Sequence, residues 1–389
     1  MDSKKIIEQH DQNVMHSYGR LPVALTSGKG AVCEDADGVS YIDFGSGIGT
    51  NSLGFADEQW ANAVAAQAGR IQHISNYFYS EVSMKVAAAL NERLSTNAVF
   101  FGNSGAEANE CAIKIARKYS FDKYGKGRHN IITLVNSFHG RTMATLSATG
   151  QESFHNYFFP FVEGFRFVPA NDIAALRDAA DDTVCAVMFE CVQGEGGVVP
   201  LEQDFVDEIF RIAKEKDILT IADEVQTGVG RTGKFIACEH FGVKPDIVTL
   251  AKGLGGGLPI GVCCARGAAA EVLTPGTHGS TFGGNPVVCA GALTVLDRLT
   301  PEFMEEIRRK AEKFRSSLLK MGKVTAVTGK GLMIGIELSG ITAGEALTAA
   351  RERQLLCLTA KEKLRLLPPL TIDDEQIEKG LAVLSEILA

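Results

Sequence analysis

The chain has 389 residues, 45% hydrophobic and 22% charged, the balance of an ordinary globular protein, which excludes global disorder. Its 41 glycines are many and its 11 prolines few; the glycines cluster without a three-residue period, which excludes collagen. A formal net charge of -8 argues against nucleic acid as the main partner.

At about 150 residues per domain the length suggests two or three domains. The first residues, MDSKKIIEQHDQNVMHSYGR, are charged and carry no apolar run of the kind a secretory signal needs. The longest stretch without a charged side chain, Val272 to Leu296, contains Pro275, His278, Ser280, Asn285 and several glycines, so no membrane span is expected. Nine scattered cysteines read as buried thiols in a reducing cytoplasm, and no Cys/His spacing resembles a metal site.

In chain order, Ala31–Asp43 reads as strand-turn-strand around Asp37-Gly38. Short apolar runs follow at 98–101, 131–135, 185–189, 218–222, 247–251 and 260–264. Several are apolar at every position, which suits strands covered on both faces in a parallel sheet. Between two of them, Asp204–Lys216 carries Phe205, Ile209, Ile212 and Ala213 at helical spacing, the logic of a βαβ unit. Beyond residue 300 the texture changes. Glu302–Met321 reads as a charged helix, Val324–Leu338 as strand-turn-strand around Gly329-Lys330-Gly331, and Asp373–Leu388 as an amphipathic helix opened by an Asp373/Gln376 capping box. The expected fold is α/β: a mainly parallel central sheet flanked by helices in a large domain over 46–290, with a smaller α+β domain formed by residues 1–45 and 291–389.

Polar residues sit just past strand ends. Glu190 follows VCAVMF, Asp223 follows ILTIA, and Lys252 follows DIVTLA. That edge of an open α/β sheet is where ligands bind. Ser104 and Glu107 fit a capping box at a helix start, and Gly105 beside them leaves backbone open to an anion such as a phosphate; the plainer reading is a well-capped helix. Lys252, inside Lys-Gly-Leu-Gly-Gly-Gly, is placed to be desolvated and to react with an aldehyde, against the plainer reading of a solvated loop lysine. Asp223 suits a protonated pyridine nitrogen; it also suits magnesium, but no phosphate-loop motif accompanies it. Phe138 is suited to stack on a flat ring or simply to pack in the core, and Arg141 to hold a carboxylate.

The segments NSGAEANE, FHGRT, ECVQGEGG, IADEVQTGVGRTG, LAKGLGGGLPIG, STFGGNP and LRLLPPL occur in that order. Together they resemble the class III aminotransferases that depend on pyridoxal 5'-phosphate, and within them the branch that acts on acetylornithine. The resemblance implies the fold type I architecture of that family. It implies that Lys252 bonds the cofactor aldehyde and moves the proton, and that Asp223 keeps the ring nitrogen protonated. Val225, Gln226 and Phe138 match contacts to the ring, and Gly105 and Ala106 the phosphate cradle. Thr281 matches a phosphate contact donated by a neighbouring subunit, so a homodimer with shared sites is implied. For substrate, Arg141 and Ser280 match acetylornithine contacts, and Arg365 matches the arginine that grips 2-oxoglutarate. Glu195 matches a gate that neutralises Arg365 when an ω-amine binds. The implied reaction moves the δ-amino group of acetylornithine to 2-oxoglutarate, in arginine biosynthesis. Related donors (ornithine, succinylornithine, 4-aminobutyrate) and an aminomutase reaction are the competing expectations. One departure stands out: Ser52-Leu-Gly-Phe-Ala-Asp-Glu58 replaces a histidine-containing stretch usual in the family.

Overall fold

The computed structural model describes all 389 residues. Its centre is a seven-stranded sheet built from β1 (Ala98–Gly102), β2 (Asn130–Leu134), β3 (Phe165–Val168), β4 (Val184–Phe189), β5 (Leu219–Asp223), β6 (Ile247–Leu250) and β7 (Gly261–Ala265), in the spatial order β1-β7-β6-β5-β4-β2-β3. β7 alone runs against the others. The residues of β4, β5, β6 and β7 are buried throughout, as expected of strands covered by helices on both faces. The expected strands lie within a residue of these bounds. β3 was not anticipated. It is an edge strand of four residues, Phe-Arg-Phe-Val, with only Val168 buried, too short and too mixed to stand out from a loop.

Helix α1 (Gly105–Tyr124) follows β1 directly and packs across β7 and β6. Its start is capped by Ser104, whose hydroxyl accepts from Glu107 N at 3.2 Å. The reciprocal arm differs from the expected box: the Glu107 carboxylate takes Asn103 N, at 2.5 Å, one residue further out. The helix expected at 204–216 spans Gln203–Lys216. The C-terminal helix spans Asp374–Leu388, with both arms of its Asp373/Gln376 box closed.

The C-terminal part carries an antiparallel sheet of Val324–Lys330, Met333–Leu338, Lys363–Leu366 and Leu358–Ala360. The N-terminal hairpin around Asp37-Gly38 (Val32–Asp35 and Ser40–Asp43) gains a further strand, Leu25–Lys29, and is joined by Leu355–Leu356 from the other end of the chain. The two chain ends therefore share a sheet. The expected boundary at 290 falls inside the helix Pro286–Arg298, which packs on the helices Glu58–Ala68 and Glu81–Leu94. One apolar core joins Phe189 and Ile209 of the central sheet region to Phe314, Leu364 and Ile377 of the C-terminal part. All nine cysteines are free and buried. No helix is long and apolar enough to cross a membrane.

Candidate active site

A cavity of about 420 Å3 opens at the carboxyl ends of the parallel strands. Three of these strands each deliver one ionisable group to it: Glu190 directly after β4, Asp223 as the last residue of β5, and Lys252 two residues past β6. The start of α1 (Gly105, Ala106), Phe138, Arg141, Glu195, Val225 and Gln226 also face it.

Asp223 is 3% exposed. One of its oxygens accepts from His139 Nδ1 at 2.7 Å and from Asn109 Nδ2 at 2.8 Å, and the other from Val225 N at 3.1 Å. Asn109 is held in turn by the hydroxyl of Thr249, at 2.7 Å, from the β6 residue that lies opposite Asp223 in the sheet register. The carboxylate is thus fixed by hydrogen bonds from Asn109, His139 and Val225 at the wall of the cavity, where a cationic group would meet it. The sequence reading assigned no part to His139, Asn109 or Thr249. Signals existed for two of them. Asn109 lies four residues after Gly105, on the same helix face, and Thr249 is a polar residue in an otherwise apolar strand.

Lys252 lies deep in the fold with its side chain on the cavity, in a left-handed backbone conformation (φ 42°) that a non-glycine residue adopts at a cost. Burial lowers its ammonium pKa, and Arg365 adds to this, against the opposing pull of Glu195, Asp223 and Glu190. The result is an amine closer to its neutral, nucleophilic form. Burial pushes the Glu190 carboxyl up to about 7, with the Asp223 charge adding to the rise. It accepts from Phe138 N at 2.9 Å and Gly194 N at 3.2 Å, so it ties the Phe138 loop to the Gly194 turn.

Glycine is needed at the head of α1. A Cβ on Gly105 would lie 2.6 Å from Val225 Cγ1, so the helix start and the Val225 turn are in contact through bare backbone. With Glu107 N capped by Ser104, the N–H groups of Gly105 and Ala106 at the start of α1 are left facing the cavity, where an anion is favoured. Phe138 meets Phe154 edge-on at 6.0 Å, and the Arg141 guanidinium lies 3.9 Å from the Phe154 ring centre.

Arg365 reaches the site from strand Lys363–Leu366, and only 3% of its side chain is exposed. Its Nη1 donates to Glu195 Oε1 at 2.6 Å and to Gln226 Oε1 at 3.2 Å, and its Nη2 to Glu195 Oε2 at 3.3 Å. Gln226 Nε2 closes the triangle on Glu195 at 3.1 Å. Burial raises the Glu195 pKa, but Arg365, joined by Lys252 and Gln226, outweighs it and holds the carboxyl below its usual range. Ser280 and Thr281 do not line this cavity. They lie on a neighbouring surface recess with Asn76 and Tyr77, and Ser280 touches the site through a 3.3 Å bond from Asn103 Nδ2.

Residues 14–388 match the family "Aminotransferase class-III". The chain belongs to the class III aminotransferases. Over 386 residues it is 51% identical to the acetylornithine aminotransferase of Haemophilus ducreyi, covering 98% of each chain. It is 45% identical to that of Aquifex aeolicus, covering 96% of this chain and 99% of the relative. Among solved structures it is similar to the ornithine aminotransferase of Toxoplasma gondii, described with PLP in partial occupancy at its active site (TM-score 0.95, 32% identity, 99% and 94% covered). It is also similar to N-acetylornithine aminotransferase from Stenotrophomonas maltophilia (TM-score 0.85, 35% identity, 98% and 97% covered).

This class III aminotransferase is a pyridoxal-phosphate-dependent transferase of fold type I, and the cavity fits that cofactor by its own chemistry. A desolvated amine, a fixed carboxylate, an open helix N-terminus and an aromatic side chain surround one space. They match an aldehyde, a ring nitrogen, a phosphate and a flat ring.

Proposed function

We propose that this class III aminotransferase transfers the δ-amino group of N2-acetyl-L-ornithine to 2-oxoglutarate, giving N-acetyl-L-glutamate 5-semialdehyde and L-glutamate, as a step of arginine biosynthesis in the cytoplasm. The observation that carries this reading is the Glu195–Arg365 ion pair at 2.6 Å on the cavity. Identities of 41% to 51% over the full chain with acetylornithine aminotransferases support the choice of donor.

Bound pyridoxal phosphate supplies an aldehyde to carry the amino group and an electron-accepting ring. The chain supplies the rest. Lys252, a buried amine on the cavity, would bond the cofactor aldehyde and would be the group that carries the proton to and from the substrate carbon bearing nitrogen. Asp223, steadied by His139 and Asn109, is the counter-charge for a protonated ring nitrogen. Gly105 and Ala106 would hold the phosphate, and Phe138, Val225 and Gln226 would hold the ring. Arg141 and Ser280 bind the acetylornithine end. In the first half-reaction Glu195 keeps Arg365 neutralised. In the second, Glu195 yields and Arg365 takes a carboxylate of 2-oxoglutarate, so one pocket serves two charge patterns.

The active unit in this reading is a homodimer in which Thr281 of one copy completes the phosphate site of the other. Exposed aromatic residues beside that loop support it: Tyr77 is 93% exposed, and Phe78, Tyr79 and Phe282 are also out in solvent. We also place a two-lobe division in the chain, with residues 1–45 and the part after helix Pro286–Arg298 forming the smaller lobe. The deciding experiment is a spectrum of the purified holoenzyme titrated with acetylornithine and then with 2-oxoglutarate. Loss and recovery of the bound-cofactor band is expected. Preference for free ornithine, or turnover without a keto acid, would overturn the assignment.

A further inference from the structure

Arg231 is 2% exposed and has no carboxylate partner. Burial pushes its guanidinium down to about 9, which leaves it a cation at neutral pH. A buried, unpaired charge is expensive, so its contacts matter. Its Nη1 donates to two carbonyls, Leu332 O at 3.1 Å and Pro368 O at 2.6 Å, while Nη2 is buried without a partner.

These two carbonyls stand at one end of a strand pair. Met333–Leu338 and Lys363–Leu366 are antiparallel, with Ile334 opposite Leu366, Gly335 opposite Arg365 and Ile336 opposite Leu364. Continuing the register puts Leu332 opposite Pro368. Pro368 has no N–H, so the strand ladder stops there. Arg231 takes its place and clips the two carbonyls together from outside the sheet. The main chain is fastened at the same point: Leu332 N donates to Arg231 O at 2.9 Å. Gly331, at φ 56°, lies so close that an added Cβ would sit 2.4 Å from the Thr232 carbonyl carbon. The turn that follows Asp223 therefore grips this strand pair twice. Gln226 touches the Arg365 guanidinium, and Arg231, five residues on, fixes the end of the strand that carries it.

We propose that Arg231 is a positioning residue for Arg365: by closing the 332–368 end of the strand pair it sets where the Arg365 guanidinium stands relative to the cavity, and so sets recognition of the dicarboxylate substrate. The inference rests on Arg365 being the carboxylate-binding group.

The test uses the holoenzyme carrying Arg231→Gln, Arg231→Lys, Arg365→Lys, and Arg231→Gln with Arg365→Lys. The bound-cofactor spectrum, the rate of the amine half-reaction and the KM for 2-oxoglutarate are measured for each. Arg231→Gln is expected to raise that KM about tenfold, the scale of losing hydrogen bonds from a charged donor. The spectrum is expected to be intact and the amine half-reaction to stay within about twofold, and Arg231→Lys to recover part of the loss. In the Arg365→Lys background, Arg231→Gln is expected to add less than about twofold, because the two residues act through one group. An equal loss in both half-reactions, or effects that multiply in the double variant, would overturn the inference. If Arg365→Lys leaves the KM for 2-oxoglutarate unchanged, the reading of Arg365 falls and takes the inference with it. Should Arg231→Gln not fold, Arg231→Lys alone and in the Arg365→Lys background carries the same comparison.

Discussion

Replacing Glu195 with glutamine keeps the shape of the site and removes one charge. In the native chain Arg365 is held by two carboxylate oxygens, at 2.6 Å and 3.3 Å, and by Gln226 at 3.2 Å. The arginine side chain is 3% exposed and the glutamate 28%. Stripping a partner from a fully buried ion pair costs about 3–5 kcal/mol. Here the glutamate end is partly hydrated, and a glutamine oxygen still accepts one bond. About 1.5 kcal/mol is the better scale, that of a single hydrogen bond to a charged group. The consequence has opposite signs for the two substrates. An amine donor then meets an unmasked cation, and its kcat/KM is expected to fall about tenfold, the equivalent of 1.4 kcal/mol. For 2-oxoglutarate the native carboxylate is a competitor that must be displaced, so Glu195→Gln should hold its KM constant or lower it by up to about tenfold. Half-reaction kinetics, followed through the cofactor absorbance with each substrate alone, separates the two. Equal losses for both substrates, or a higher KM for 2-oxoglutarate with the amine unaffected, would refute the charge-masking argument.

Lys252→Ala should abolish both the bound-cofactor absorbance and turnover; a variant that kept both would remove Lys252 from the mechanism. Gly105→Ala should destabilise the protein by about 1–3 kcal/mol through overpacking and loosen cofactor retention, read as a lower melting temperature and a smaller shift on adding pyridoxal phosphate. Combining it with Val225→Ala should restore part of the loss, since Val225 Cγ1 is the atom the new Cβ would strike at 2.6 Å. Glu190 binds its proton more tightly folded than unfolded, because burial raises its pKa to about 7. Its contribution therefore favours the fold at low pH and is lost as pH rises through the window from the ordinary carboxyl range to about 7. Urea unfolding of the cofactor-free protein across that window should show a fall with pH that Glu190→Gln flattens; an unchanged slope would contradict the assignment.

The sheet was legible in the sequence because its inner strands are short, nearly all apolar and free of charge until their last residues, a pattern solvent-facing strands do not keep. Asp223 and Lys252 stood out for the same reason, as charges ending runs that are otherwise uninterrupted. β3 was not legible: at the edge of the sheet its Phe165, Arg166 and Phe167 are only partly covered. The partners of Asp223 were hidden differently. His139, Asn109 and Thr249 come from three separate elements, and only the folded register brings them to one carboxylate. Arg231 was hidden too, since an arginine in a glycine-rich turn gives no sign that it will be buried against carbonyls of a strand pair a hundred residues away.

The continuous core that joins the central sheet to the C-terminal helices bears on how the enzyme changes substrate. Two lobes with separate interiors can swing apart as rigid bodies at little cost, because each keeps its own interior dry. Here a hinge motion would tear shared apolar surface and expose it to water, at about 25 cal/mol for every Å2 uncovered. If the proposed donor and acceptor share this pocket, alternation between them is a matter for side chains, and the proposed role of the Glu195 carboxylate requires no hinge. Amide exchange should reflect the same constraint, with β5 and the strand carrying Arg365 opening together in one cooperative event.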